Sequence, residues 1–139
     1  MIQRIQTLWL LLAAFAAAVS FKFPVYIGNK ISAEGYTAYQ ELTSTSHVVL
    51  IIMASVLIIS ILYPIFLFKK RMTQFWFTLV AFIFSIANAY LLYTKTWTFT
   101  EGNFSIAAIA AAAVPFFLLL AMRGIWKDDK LVKSLDRLR

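Results

Sequence analysis

Side chains of a type and setting suited to chemistry are few in this chain, and they are scattered. Asn88 is the most polar group well inside an apolar run, and Ser55 lies at the same depth in the run before it. The pair reads as an interhelical hydrogen bond worth about 0.6 kcal/mol, and at most about 2. Contact with a substrate or ion is the competing reading, but a pathway normally needs more convergent polar groups. His47 is the sole histidine, which leaves no multi-histidine metal site. Glu34, Glu41 and Glu101 stand at spacings that suit neither a metal nor an acid–base pair, and they read as solvated. No glycine-rich phosphate loop or nucleophile motif is present. With no cysteine there is neither a thiolate ligand nor a disulfide. No catalytic, cofactor-binding or metal-binding set is expected, and the reading is a non-enzyme.

The elements that must hold these residues are set by where charge is missing. Stretches 5–21, 42–68, 72–94 and 102–122 carry no charged residue, and about 20 mainly apolar residues cross a hydrocarbon core of about 30 Å. Of the 139 residues, 62% are hydrophobic and 14% charged, against about 25% charged in soluble domains. The expectation is an all-α membrane protein: one integral membrane domain over 1–139, an antiparallel four-transmembrane-helix bundle. Its helices fall at about 5–21, 47–68, 74–93 and 104–122, followed by a basic tail at 123–139. Between helices 1 and 2, Val25–Ile27 and Lys30–Ser32 flank Gly28-Asn29, which reads as a hairpin with a two-residue turn. Residues 96–100 alternate with period two, as in a strand. A small β cap and an irregular loop both remain open for this outer face.

Charge orients the threading. Arg4, Lys69, Lys70, Arg71, Arg123, Lys127, Lys130, Lys133, Arg137 and Arg139 fall on one side of the four spans. Only Lys22, Lys30 and Lys95 fall on the other. Positive charge is retained on the cytoplasmic side, so both termini are expected there, with 22–46 and 95–104 outside. This distribution also argues against a nucleic-acid groove as the reason for the net charge of +7. The first span, with small residues at Ala16, Ala17 and Ala18, also resembles a cleaved signal peptide; a retained helix is the expectation. In the tail, Leu131, Leu135 and Leu138 recur at helical spacing beside Lys130, Lys133 and Arg137. A basic amphipathic helix is expected, either continuing helix 4 or lying on the inner leaflet. Lys130, Lys133, Arg137 and Arg139 are candidate contacts for anionic lipid, at about 1 kcal/mol each, or for an acidic protein surface.

Alanines mark where helices meet, because small residues let backbones approach. Helix 1 carries Ala13, Ala14 and Ala16–Ala18; helix 4 carries Ala107, Ala108 and Ala110–Ala113. The two bands share a depth, so helices 1 and 4 are expected to cross closely in the outer leaflet. Their inner halves would splay or pack through bulk. Pro64 and Pro115 each remove one helical hydrogen bond and read as static kinks.

The ends of the chain carry a further signal. Met1-Ile2-Gln3-Arg4-Ile5-Gln6-Thr7 opens it; Arg123-Gly124-Ile125, Lys127-Asp128 and the run Lys130–Arg139 close it. This resembles the small four-span membrane proteins of Bacteroidota grouped as domain-of-unknown-function family 4293. Trp126 and Asp129 depart from a tail usually more basic at the first position and Glu at the second. The resemblance implies a bacterial inner membrane and supplies no activity or site residues. The expected function is a non-enzymatic accessory or structural subunit of a larger inner-membrane complex. The alternative is a small transporter or lipid-binding protein, in which Asn88→Leu would abolish flux without unfolding the chain.

Overall fold

An unpaired peptide group in hydrocarbon costs several kcal/mol, so a long uncharged run closes its own hydrogen bonds as a helix. The computed structural model describes residues 3–31, 35–67 and 70–136. In chain order the elements are α1 (Gln3–Lys22), β1 (Tyr26–Ile31), β2 (Thr37–Leu42), α2 (Val48–Phe66), α3 (Arg71–Thr96), β3 (Glu101–Phe104) and α4 (Ile106–Asp136). All four helices are long and apolar enough to cross a membrane. They form a ring in which each packs on its two chain neighbours and α1 closes onto α4, its most extensive partner.

Buried positions recur at alternating steps of four and three. On α2 they are Leu50, Ala54, Leu57, Ile61 and Pro64; on α3, Gln74, Thr78, Ala81, Ser85, Asn88 and Leu92, with Thr96 a further step of four at the helix end. On α4 they are Ala107, Ala111, Val114, Leu118, Ala121, Ile125 and Asp128. A 3.5-residue period keeps one stripe facing the neighbours in a left-handed bundle. The α3 stripe is mostly small or polar, and those of α2 and α4 mix small residues with Leu, Ile and Val, whereas the outward faces carry bulk: Phe15, Phe66, Trp76, Ile83, Ile106 and Ile109 are all more than half exposed. That inversion suits a hydrocarbon surround, where close packing rather than water exclusion brings helices together.

At the end of the bundle opposite the termini, the three strands form an antiparallel sheet in the order β2-β1-β3. Val25 and Leu42 seat it on Leu50, Leu92 and Ala107. The Ser44 hydroxyl donates to the Ser20 carbonyl at 3.0 Å, tying the segment after β2 to the end of α1. Gly28 lies opposite Gly102. A Cβ on Gly28 would collide with the Glu101 main-chain oxygen, and one on Gly102 would come within 2.6 Å of the Tyr26 ring. Tyr26 also meets Phe99 and Phe104 edge-on, at 5.3 and 5.0 Å between centroids.

Several expectations need correction. Gly28-Asn29 is not a turn, because β1 runs straight through it; the glycine is used for the close approach of β3. Gly35, with φ +82°, precedes β2 instead, and 32–34 lie outside the described residues. The third strand is at 101–104 rather than 96–100. Thr96 is still helical, and the amides of Thr98 and Phe99 turn back to the carbonyls of Lys95 and Thr96. α3 extends three residues beyond the expected 74–93 at each end, because its polar terminal turns are helical although they lack the apolar signal. Of the two options for the inner halves of α1 and α4, splaying or packing through bulk, the second holds: Leu10, Leu118 and Ala121 are buried together, and Trp9 stacks on Phe117 at 6.0 Å. The tail continues α4 without a break through Asp136.

Ala111 lies on the buried stripe of α4, while Ala112 beside it faces outward. Ala111→Phe overpacks the cluster at a cost of about 1–3 kcal/mol and should lower the Tm in detergent, whereas Ala112→Phe should not. Equal melting of the two variants would contradict the packing.

Candidate functional site

The inward face of α3 brings polar atoms into the span, and most are satisfied within the helix. The hydroxyls of Thr78, Ser85 and Thr96 donate to the carbonyls of Gln74, Phe82 and Tyr93 at 2.7–2.8 Å. Back-bonding of this kind suits Ser and Thr, whose oxygen sits one bond from Cβ. Asn88 is the exception. It is 4% exposed, and its Oδ1 accepts no hydrogen bond from Ser55 or any other group. Ser55 is half-buried on α2. Asn88 lies on α3 between Ala81, in one apolar cluster, and Leu92, in the other. A buried acceptor left alone costs about 1–3 kcal/mol, which makes Asn88 a point of weakness rather than glue at its oxygen.

A second polar cluster, at the end of the bundle that holds both termini, does form bonds. Arg71 is the first residue of α3, and its Nε lies 3.3 Å from Oδ2 of Asp128 on α4. Its Nη1 donates to the Asp128 main-chain oxygen, also at 3.3 Å. The contact at Oδ2 is an ion pair without hydrogen-bond geometry. The Asp128 side chain is 10% exposed and that of Arg71 23%, so the pair is shielded but open on the arginine side. One turn before Asp128, Gln6 Nε2 of α1 donates to the Gly124 carbonyl at 3.0 Å. A Cβ on Gly124 would sit 3.0 Å from Gln6 Cγ, so the glycine admits the buried glutamine. Two chain segments, the start of α3 and α1, are thereby clamped to α4 near the place where it leaves the apolar span.

Among the tail residues singled out by charge, Lys130 is exposed and its Nζ lies 4.2 Å above the Trp126 ring, a cation–π geometry. The side chain of Lys133 and the whole of Arg137 and Arg139 lie outside the described residues. Sequence reasoning missed Arg71 and Asp128 as partners, because a basic run between spans reads as a topology signal. The available clue was the period: the buried steps of α4 lead from Ala121 through Ile125 to Asp128.

Four membrane-length helices packed on one another along buried stripes define a multi-pass membrane protein. A family model described as Domain of unknown function (DUF4293) matches residues 2–138, and the chain belongs to that family. No curated protein and no solved structure matches it.

Removing one partner of the clamp strands the other in a shielded site. Arg71→Ala and Asp128→Ala should each cost about 1–2 kcal/mol in detergent unfolding, reduced from the fully buried case by the exposure of the arginine. The double substitution Arg71→Leu/Asp128→Leu should recover most of the loss. Additive losses would show that the two do not interact.

Proposed function

We propose that the protein is a non-enzymatic accessory subunit of a larger protein complex in the bacterial inner membrane, with both termini in the cytoplasm. The observation that supports this most is the length and anchoring of α4. Its 31 residues extend about 46 Å at 1.5 Å per residue, against a hydrocarbon core of about 30 Å. About ten residues therefore stand clear of the apolar zone at the terminal end. The projecting part carries Lys127, Lys130, Leu131 and Val132 on exposed positions. It is fixed at its base by Arg71 and Gln6, so it behaves as a rigid basic handle rather than a loose tail.

Axial continuation of α4 directs these cations away from the leaflet plane. That favours an acidic protein surface as the partner over anionic lipid alone. Retention of basic residues on the cytoplasmic side supports the orientation: Lys70, Arg71, Arg123, Lys127 and Lys130 cluster at the terminal end. The second reading, a small transporter or lipid-binding protein, has the unpaired Asn88 oxygen in its favour. The neighbouring hydroxyls, already satisfied in their own helix, weigh against a polar path.

Purification from native membranes in mild detergent, followed by mass spectrometry, should recover a stoichiometric partner with the wild-type chain. Lys127→Glu/Lys130→Glu should release it while leaving the Tm unchanged. Recovery of the wild type as a lone monomer would remove the proposal.

A further inference from the structure

A half-open pocket of about 340 Å³ lies between the sheet and the ends of α2 and α3, within the size range of small-molecule sites. Strand alternation decides which groups look into it. Lys30 pairs with Ala38, Gly28 with Gln40 and Tyr26 with Leu42, so Lys30, Gln40 and the buried Leu42 share the face turned toward the bundle. Tyr39 and Glu41 also line the pocket; offset by one residue, they belong to the alternate face of β2. The floor is formed by Ser46 and His47, just before α2, and by Thr98 and Phe99, just after α3.

The donors in this pocket are unequal. The Thr98 hydroxyl donates to the Lys95 carbonyl at 2.8 Å, and the Ser46 hydroxyl is taken up within the 41–46 turn. Among the described residues, Lys30, Gln40 and His47 make no side-chain hydrogen bond, and no carboxylate pairs with Lys30. The pocket also has a fixed depth relative to the bilayer. Tyr90 and Tyr93 on the last turns of α3, and Trp97 just after it, are all more than half exposed. Such aromatics sit at headgroup level, and Thr98 of the pocket floor follows Trp97 directly.

We propose that this pocket binds a phosphate group, that of a phospholipid headgroup, with Lys30 and His47 holding the anion and Gln40 donating a third bond. Hydrogen bonds from an ammonium and from a ring N–H to anionic phosphate oxygens are charge-assisted and strong for their number. The site lies at the opposite end of the molecule from the basic handle and stands under either reading of the whole chain.

The test uses the full chain in a phosphate-free maltoside detergent, titrated with monomeric dihexanoyl-phosphatidylglycerol or with inorganic phosphate and followed by phosphorus NMR. One phosphatidylglycerol should bind per chain. Lys30→Gln and His47→Gln should each weaken it about tenfold, the loss of one charge-assisted bond. Lys22→Gln, an outer-end cation outside the pocket, should leave it unchanged. All three variants should keep the wild-type Tm, since none of these side chains is in the core. Inorganic phosphate binding as tightly, with the same dependence on Lys30 and His47, would support the phosphate site and name the aqueous anion as its occupant. Failure of both probes to bind, or binding unaffected by both pocket variants, would overturn the proposal.

Discussion

Hydrocarbon offers no hydrogen bonds, and that constraint shapes every layer of this molecule. It forces four uncharged runs into helices and decides which side of each helix turns inward. Of the six inward residues of α3 from Gln74 to Leu92, only Ala81 and Leu92 are apolar. The residues facing out are Trp76, Phe77, Val80, Ile83 and Ile86. In water this helix would be inside out. In a bilayer it is the right way round, because bulk loses nothing by facing lipid tails and the polar side chains, most of them bonded within their own helix, are kept away from the lipid.

The same constraint explains the two ends. The sheet pairs backbone groups that would otherwise be left open where the chain crosses from α1 to α2 and from α3 to α4. Gly28 and Gly102 allow β1 and β3 to approach closely enough to do so, and Tyr26 covers the gap. At the terminal end, a carboxylate and an arginine tie the α2–α3 turn to α4, and a buried glutamine ties α1 to it. Gln6, Gly124 and Asp128 belong to the end segments that carry the family resemblance. The structure brings those segments together, so the resemblance marks one assembled region rather than two.

What could be read in advance follows from these physics. Spans were legible because a missing charge is a strong signal over 20 residues. Their ends were not, because Arg71, Thr94 and Thr96 are helical without being apolar. The alanines of α1 and α4 announced a close contact, but its continuation past Leu118 to Gly124 rests on a single glycine that has no periodic signature. The sheet was half legible: a cap was a stated option, yet Gly28-Asn29 imitates a turn when seen without its partner strand. Asn88 was found, but that its oxygen stays unpaired depends on the rotation of α3, which composition does not report.

Everything functional depends on the threading, in which an even number of crossings leaves both termini on one side. Because the chain has no cysteine, single cysteines can be placed without background and probed with an impermeant maleimide on right-side-out vesicles. Cysteines at Thr98 and Asn103 should label from outside. Cysteines at Lys70, at Ser134 and ahead of residue 1 should label only after the membrane is opened. Labelling of the two ends of the chain from opposite sides would contradict the account.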